Sequence, residues 1–169
     1  MALIVESGEG MATANSYVSV QEADDYIALN FPEDDKWESL TTEQKEVQLI
    51  RATRFLDTMV RWASFIKDNH QSLAWPREQF KDYEGRIIPD NTVPTLIKDA
   101  QIELVYESLS NTLTTEAIKL QSEKFGDTTD FYASPVTVGG SELVRNIIKN
   151  LTFAGYARSR ATVVTRHRV

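Results

Sequence analysis

The residue types that most often do chemistry in proteins are scarce in this sequence and are not grouped. Its two histidines, His70 and His167, are far apart and do not stand in an H-x-x-x-H or similar metal-ligand spacing. The chain has no cysteine, which excludes disulfides, zinc–thiolate sites and cysteine nucleophiles. We therefore expect no metal site and no bound cofactor.

Two adjacent acid pairs, Asp24–Asp25 and Asp34–Asp35, are the remaining candidates for acid–base chemistry. Adjacent side chains on a helix point about 100° apart, so neither pair forms a general acid and base by itself. Gly8-x-Gly10 lacks the third glycine of a dinucleotide-binding motif and the Lys-Ser/Thr of a P-loop. These patterns predict that the protein is not an enzyme.

Charge is distributed unevenly along the chain. From residue 141 onward there are six basic residues and one acid, a net charge of +5, whereas the whole chain carries −7. The first 140 residues therefore carry −12. An acidic body with a basic tail suggests two different kinds of neighbour, although a solvated surface with a frayed terminus would give the same pattern.

The elements that must position any site are mainly helical. Helical periodicity predicts one helix over residues 19–30 and a second over residues 41–63. Both begin with a capping box, in which a Ser or Thr is followed three residues later by Glu or Gln. The pairs are Ser19 with Glu22 and Thr41 with Gln44.

Two further helices and a strand segment are predicted in the second half of the chain. Pro94 suits the first residue of a third helix, which is predicted to run to about Lys124. This helix is apolar on two sides, so we expect it to be the central one. Residues 131–138 predict a short strand or hairpin arm, and Ser141 caps a fourth helix with one apolar stripe. The predicted fold class is mainly α, a four-helix bundle-like subunit with one long structured loop.

The long loop spans residues 64–93 and contains the segment QSLAWPREQF. Pro76 fixes its own φ and favours an extended conformation for Trp75, which carries a large apolar surface. Loops of this length in compact domains are usually functional or pack as their own small structure. The sequence therefore predicts a shaped loop.

The C-terminal residues 157–169 have no helical stripe and alternate small and β-branched residues with arginines. We expect a single helical domain over residues 1–156 and an extended basic arm over residues 157–169 that docks on a neighbouring molecule. A disordered terminus is the alternative. The candidate partner-binding residues are Arg158, Arg160, Arg166 and Arg168.

Membrane location and single-strand binding both find weak support in the residues. No run of about 18 apolar residues is present, so no transmembrane helix is expected. Single-strand binders combine a positive groove with exposed aromatic rings. Here Trp37, Trp62 and Trp75 lie in the acidic body, and Tyr156 alone is close to the basic tail.

Five segments in a fixed order resemble a known family. Residues 3–113 resemble the tailed-bacteriophage head-to-tail connector proteins, also called adaptor or head-completion proteins, whose related sequences are often labelled DnaT-like single-stranded DNA-binding. The segments are LIVESGEGMATANSYVSVQEADDY, LIRATRFLD, RW at positions 61 and 62, SLAWPRE, and GRIIPDNTVPTLIKDAQIEL.

The resemblance implies a structural virion protein made in the host cytoplasm and placed at the head-to-tail interface. It implies a dodecameric ring that binds the phage portal and tail or tail-tube proteins while double-stranded DNA passes through its lumen. For the long loop over residues 64–93, the resemblance implies structural roles for Trp75 and Pro76. It also implies that Arg77 and Arg86 pair with nearby acidic residues. The alternative is a single-stranded DNA-binding accessory of replication.

Overall fold

The part of the chain that the structure describes is mainly helical, which confirms the predicted fold class. The structure is a computed structural model and describes residues 2–32, 35–110, 120–125, 128–133 and 142–158. The helices are α1 (Val20–Asn30), α2 (Thr42–Met59), α3 (Thr95–Ser110) and α4 (Glu142–Phe153). The strands are β1 (Phe65–Ile66), β2 (Arg77–Glu78), β3 (Leu120–Phe125) and β4 (Thr128–Ala133).

The first two helices begin as the sequence predicts. The side chains of Ser19 and Thr41 accept the backbone N–H three residues later, and both capping boxes are complete. However, α2 ends at Met59 and not at residue 63, because the chain turns extended at Val60. The Ala63 N–H donates to the Tyr156 carbonyl at 2.9 Å. Pairing with this distant segment therefore replaces the last predicted turn of the helix.

Helix α3 is the central helix, as its two apolar sides predict. It contacts α1, α2 and α4, and it buries Ile97, Ile102, Leu104 and Val105. The prediction that this helix continues to Lys124 is wrong. Lys124 lies opposite Thr129 in an antiparallel hairpin of β3 and β4, so cross-strand pairing sets the backbone there.

The β3–β4 hairpin stands apart from the helices. Its strands have six residues each and are paired from Leu120 with Ala133 to Phe125 with Thr128. Among the described elements, neither strand contacts any of the four helices. The strand segment predicted at 131–138 therefore begins earlier, at Thr128, and its residues 134–138 lie outside the described part.

Helix α4 packs its apolar stripe against α3, and the chain then folds back onto the body. Val144, Ile147 and Leu151 are buried on this stripe. The N–H groups of Tyr156 and Ala157 both donate to the Leu151 carbonyl. Ala157 forms an antiparallel bridge with Trp62. The residues that follow Arg158 lie outside the described part.

The N-terminal segment is folded around one buried carboxylate. Glu6 is 3% exposed and accepts the backbone N–H groups of Gly8, Gly10 and Met11 at 2.8–2.9 Å. Gly8 has φ +99°, and a Cβ atom there would lie 2.0 Å from the Asn91 carbonyl oxygen. This close approach joins the N-terminal segment to the end of the long loop.

None of the described helices is long and apolar enough to span a membrane.

Replacing Gly8 with alanine tests that close approach. We expect Gly8→Ala to lower the free energy of unfolding by about 2–5 kcal/mol, the sum of left-handed strain and overpacking. Gly85→Ala is the matched control, because Gly85 has φ +82° but open space around its Cβ position. It should cost only the strain, about 1–2 kcal/mol. Equal losses for the two variants in denaturant unfolding would contradict the proposed contact.

Candidate nucleic-acid and partner surfaces

Trp75 is the centre of an aromatic cluster and is not a surface residue. It is fully buried, and its ring contacts Trp62 and Phe80 edge to face at 6.0 and 5.2 Å between centroids. The Tyr156 ring lies 5.7 Å away. Pro76 is also buried, and its peptide bond with Trp75 is cis. The cluster therefore joins the long loop to the segments that follow α2 and α4.

A half-buried acid, Asp57, anchors the same loop through the loop's backbone. Asp57 on α2 accepts the Tyr17 hydroxyl at 2.6 Å and the Ala74 N–H at 2.9 Å. The Tyr17 hydroxyl in turn accepts the Trp75 N–H at 3.2 Å. Burial raises the pKa of the Asp57 carboxyl, and burial beside Asp57 raises the pKa of the Tyr17 hydroxyl well above its usual value. These groups stabilise the loop, with Tyr17 fully buried and Asp57 half-buried.

Gln101 on α3 completes this internal polar network. Its side chain is fully buried and donates to the Ser16 hydroxyl at 2.8 Å and the Leu49 carbonyl at 3.2 Å. It accepts the Tyr17 N–H at 3.0 Å. Sequence reasoning missed Gln101, Tyr17 and Asp57, because an isolated polar residue among apolar ones does not reveal its partner.

The two arginines of the loop behave differently from each other. Arg86 forms ion pairs with Asp82 at 2.7 Å and with Glu84 at 3.2 Å, and the hydrogen bond that it donates to Asp82 raises the pKa of Arg86. Arg77 is instead buried and donates to the carbonyls of Ala74 and Ser64, both at 2.9 Å. The expectation of an acidic partner therefore fits Arg86, while Arg77 binds backbone oxygens.

The other residues considered for chemistry are not brought together. Asp24 accepts the Trp37 indole N–H at 2.6 Å and pairs with Lys45 at 2.8 Å, which is a structural role. His70 is exposed and contacts Asp68. No group of three or more potential metal ligands occurs among the described residues. His167 lies outside them.

One exposed surface combines cations with aromatic rings. Arg145, Lys149 and Phe153 are exposed at successive four-residue steps along α4, so they share one side of the helix. Phe153 is 75% exposed and Tyr83 is 84% exposed. The Tyr83 N–H donates to the Ala154 carbonyl at 3.1 Å, which places Tyr83 beside the end of α4. We call these four residues the α4 face.

The beginning of the predicted C-terminal arm lies against the body. Ala157 is 8% exposed, and the Arg158 N–H donates to the Arg61 carbonyl at 2.6 Å. Burial lowers the pKa of Arg77, and the positive charge of the nearby Arg158 lowers it further. The arm residues Arg160, Arg166 and Arg168 lie outside the described part of the chain.

Comparison with known proteins identifies the family of the chain. A family model described as "Putative DnaT-like ssDNA binding protein" matches residues 1–168, and the chain belongs to that family. No curated protein and no solved structure matches the chain. The family match covers the aromatic cluster, the β3–β4 hairpin and the α4 face alike.

Truncation of Trp75 measures how much the loop contributes to stability. We expect Trp75→Ala to lower the free energy of unfolding by about 3–5 kcal/mol, because it leaves a large cavity in the aromatic cluster. Phe65→Ala is the control, since Phe65 is 67% exposed and should change stability by less than about 0.5 kcal/mol. An unchanged melting temperature for Trp75→Ala would refute the structural role of this tryptophan.

Proposed function

We propose that this chain is a structural virion protein, a subunit of a ring that joins a phage portal to the tail. Double-stranded DNA would pass through the ring without sequence-specific contacts. The proposed partners are further copies of the chain, in a dodecamer, together with the portal protein and a tail or tail-tube protein. The proposed location is the head-to-tail interface of the virion, and the protein has no catalytic role.

The β3–β4 hairpin is the observation that carries this proposal. An isolated two-stranded hairpin is at best marginally stable in water, and this one contacts none of the four helices described. Among the described residues it forms a two-stranded sheet, so the backbone groups of its outer edges have no strand partner there, which is a template for pairing with another chain. A neighbouring subunit in a ring would supply both the contact surface and the strand.

Buried aromatic residues and the acidic charge also favour a structural role. Trp37, Trp62 and Trp75 are at most 9% exposed, so they are closed to stacking with nucleic-acid bases. The chain carries a net charge of −7, which opposes tight binding of phosphates. A wall that attracts DNA weakly suits a conduit through which a duplex must slide.

Single-stranded DNA binding, as an accessory of replication, is the second candidate function. The description of the family favours it, and so does the α4 face, where exposed rings lie beside cations. Single-strand binders use this combination, because every base can stack on a ring while cations contact the backbone. The two candidates differ in whether the isolated chain assembles or binds oligonucleotides.

Removal of the hairpin tests the ring directly. Replacing residues 120–133 with a short Gly-Ser linker should leave the melting temperature of the subunit unchanged, since the backbone of the hairpin does not approach any of the four helices described. Mass photometry and negative-stain microscopy, with the chain alone and mixed with portal, should then show rings for the full chain and monomers for the variant. Rings formed by the hairpin-free variant would contradict the proposal.

Deletion of residues 159–169 tests the arm separately. We choose this boundary because Ala157 and Arg158 are hydrogen-bonded to the body. The truncated subunit should fold normally but fail to attach to portal-containing heads. A variant with Arg160, Arg166 and Arg168 changed to glutamine separates the effect of the arm's charge from the effect of its backbone pairing with a neighbouring strand. Raising the salt concentration should weaken attachment of this variant less than it weakens attachment of the full chain. Unimpaired attachment of the truncated chain would exclude a role for the arm.

A further inference from the structure

The C-terminal helix concentrates positive charge in a chain that is acidic overall. Residues 142–158 contain Arg145, Lys149 and Arg158 but only one acid, Glu142. Neither Arg145 nor Lys149 forms an ion pair or a side-chain hydrogen bond with the described residues. Their charges are therefore available to a ligand, and they lie about 6 Å apart along the helix axis.

Aromatic rings extend this positive strip at its C-terminal end. Phe153 lies one further helical step beyond Lys149, and its ring is largely exposed. Tyr83 comes from a turn 70 positions earlier in the chain and is held there by its hydrogen bond to the Ala154 carbonyl. The two largely exposed rings contribute little to folding through burial, and their faces are open to a ligand.

The turn that carries Tyr83 does not cancel the charge of the strip. It contains the cations Lys81 and Arg86 and the acids Asp82 and Glu84, so it is neutral as a whole. Both acids are held by Arg86. The acidic groups nearest in sequence to Tyr83 are thus already compensated, and they repel a phosphate less than free carboxylates would.

We propose that the α4 face, made of Arg145, Lys149, Phe153 and Tyr83, is a binding site for single-stranded DNA. The two cations contact successive phosphates, and the two rings stack on unpaired bases. A base inside a duplex presents no free ring face, so stacking selects the single strand. This inference locates the site of the second candidate function and does not require ring assembly.

The acidic remainder of the chain sets the expected strength of binding. Two phosphate contacts with a single strand predict a slope of about −1.4 for the logarithm of the association constant against the logarithm of the salt concentration. Affinity should therefore be low, and it should fall by about fivefold between about 50 mM and 150 mM salt. The measurement is fluorescence anisotropy of the full chain with a labelled oligothymidine, with a duplex of equal length as the comparison.

Variants of the face separate stacking from charge. The double variant Tyr83→Ala and Phe153→Ala should weaken binding of the single strand by about thirtyfold or more, the lower end of the effect of two lost base–ring stacks. Lys149→Gln should reduce the salt slope by about 0.7. All three residues are exposed, and thermal melts should confirm that the variants fold as the original chain does.

The controls change comparable exposed residues elsewhere. Arg54→Gln on α2 and Leu29→Ala on α1 remove an exposed cation and an exposed apolar side chain, and both should leave affinity and salt slope unchanged. Equal loss in the controls and in the face variants would overturn the site. Absence of single-strand binding at 50 mM salt, or equally tight binding of the duplex, would overturn it as well.

Assembly measured on the same variants keeps this inference distinct from the ring proposal. If the α4 face binds DNA, the variant with Tyr83→Ala and Phe153→Ala should assemble to the same extent as the full chain. Mass photometry of both proteins measures this. Loss of assembly with unchanged DNA binding would instead identify the face as a contact between subunits and would refute the DNA site. Rings without any DNA binding would refute the site and leave the connector proposal standing.

Discussion

The course of the long loop depends on one half-buried carboxylate, that of Asp57. Asp57 accepts hydrogen bonds from the Tyr17 hydroxyl and from the Ala74 N–H. This single side chain therefore connects the N-terminal segment, helix α2 and the long loop. Partial removal of an acid from water is costly unless hydrogen bonds satisfy it, and here the hydrogen bonds come from segments far apart in sequence. This connection holds the backbone of Ala74 and Trp75, and so it helps to position the Trp75 ring in the aromatic cluster.

The local elements were predictable from the sequence, and their long-range connections were not. Capping boxes at Ser19 and Thr41 and the apolar stripe of α4 depend on residues three or four positions apart, which a single sequence displays. The end of α2 at Met59 depends on a partner far along the chain, whereas the β3–β4 hairpin depends on pairing between strands that follow each other directly. Pairing of Ala63 with Tyr156, and of Lys124 with Thr129, decides the backbone there against the local helical pattern.

For the candidate surfaces too, local features were predictable from the sequence and contacts between distant residues were not. Burial of Trp75 and the ion pairs of Arg86 could be expected from residue type and from the resemblance to connector proteins. The α4 face could be recognised only in part, because the spacing of Arg145, Lys149 and Phe153 is visible in the sequence while the arrival of Tyr83 is not. Arg77 illustrates the limit most clearly, since its partners are backbone carbonyls and these have no signature in the side-chain sequence.

The hydrogen bond between the Tyr83 N–H and the Ala154 carbonyl has a consequence for recognition. It joins the turn to the end of α4 before any ligand arrives, and Gly155 allows the close approach, since a Cβ there would lie 3.0 Å from the Tyr83 nitrogen. A partner that touches both the turn and the helix therefore meets a surface with its backbone already ordered. The entropy lost on association is then confined mainly to side-chain rotamers and to the ligand, which favours rapid, reversible contacts over slow induced ones.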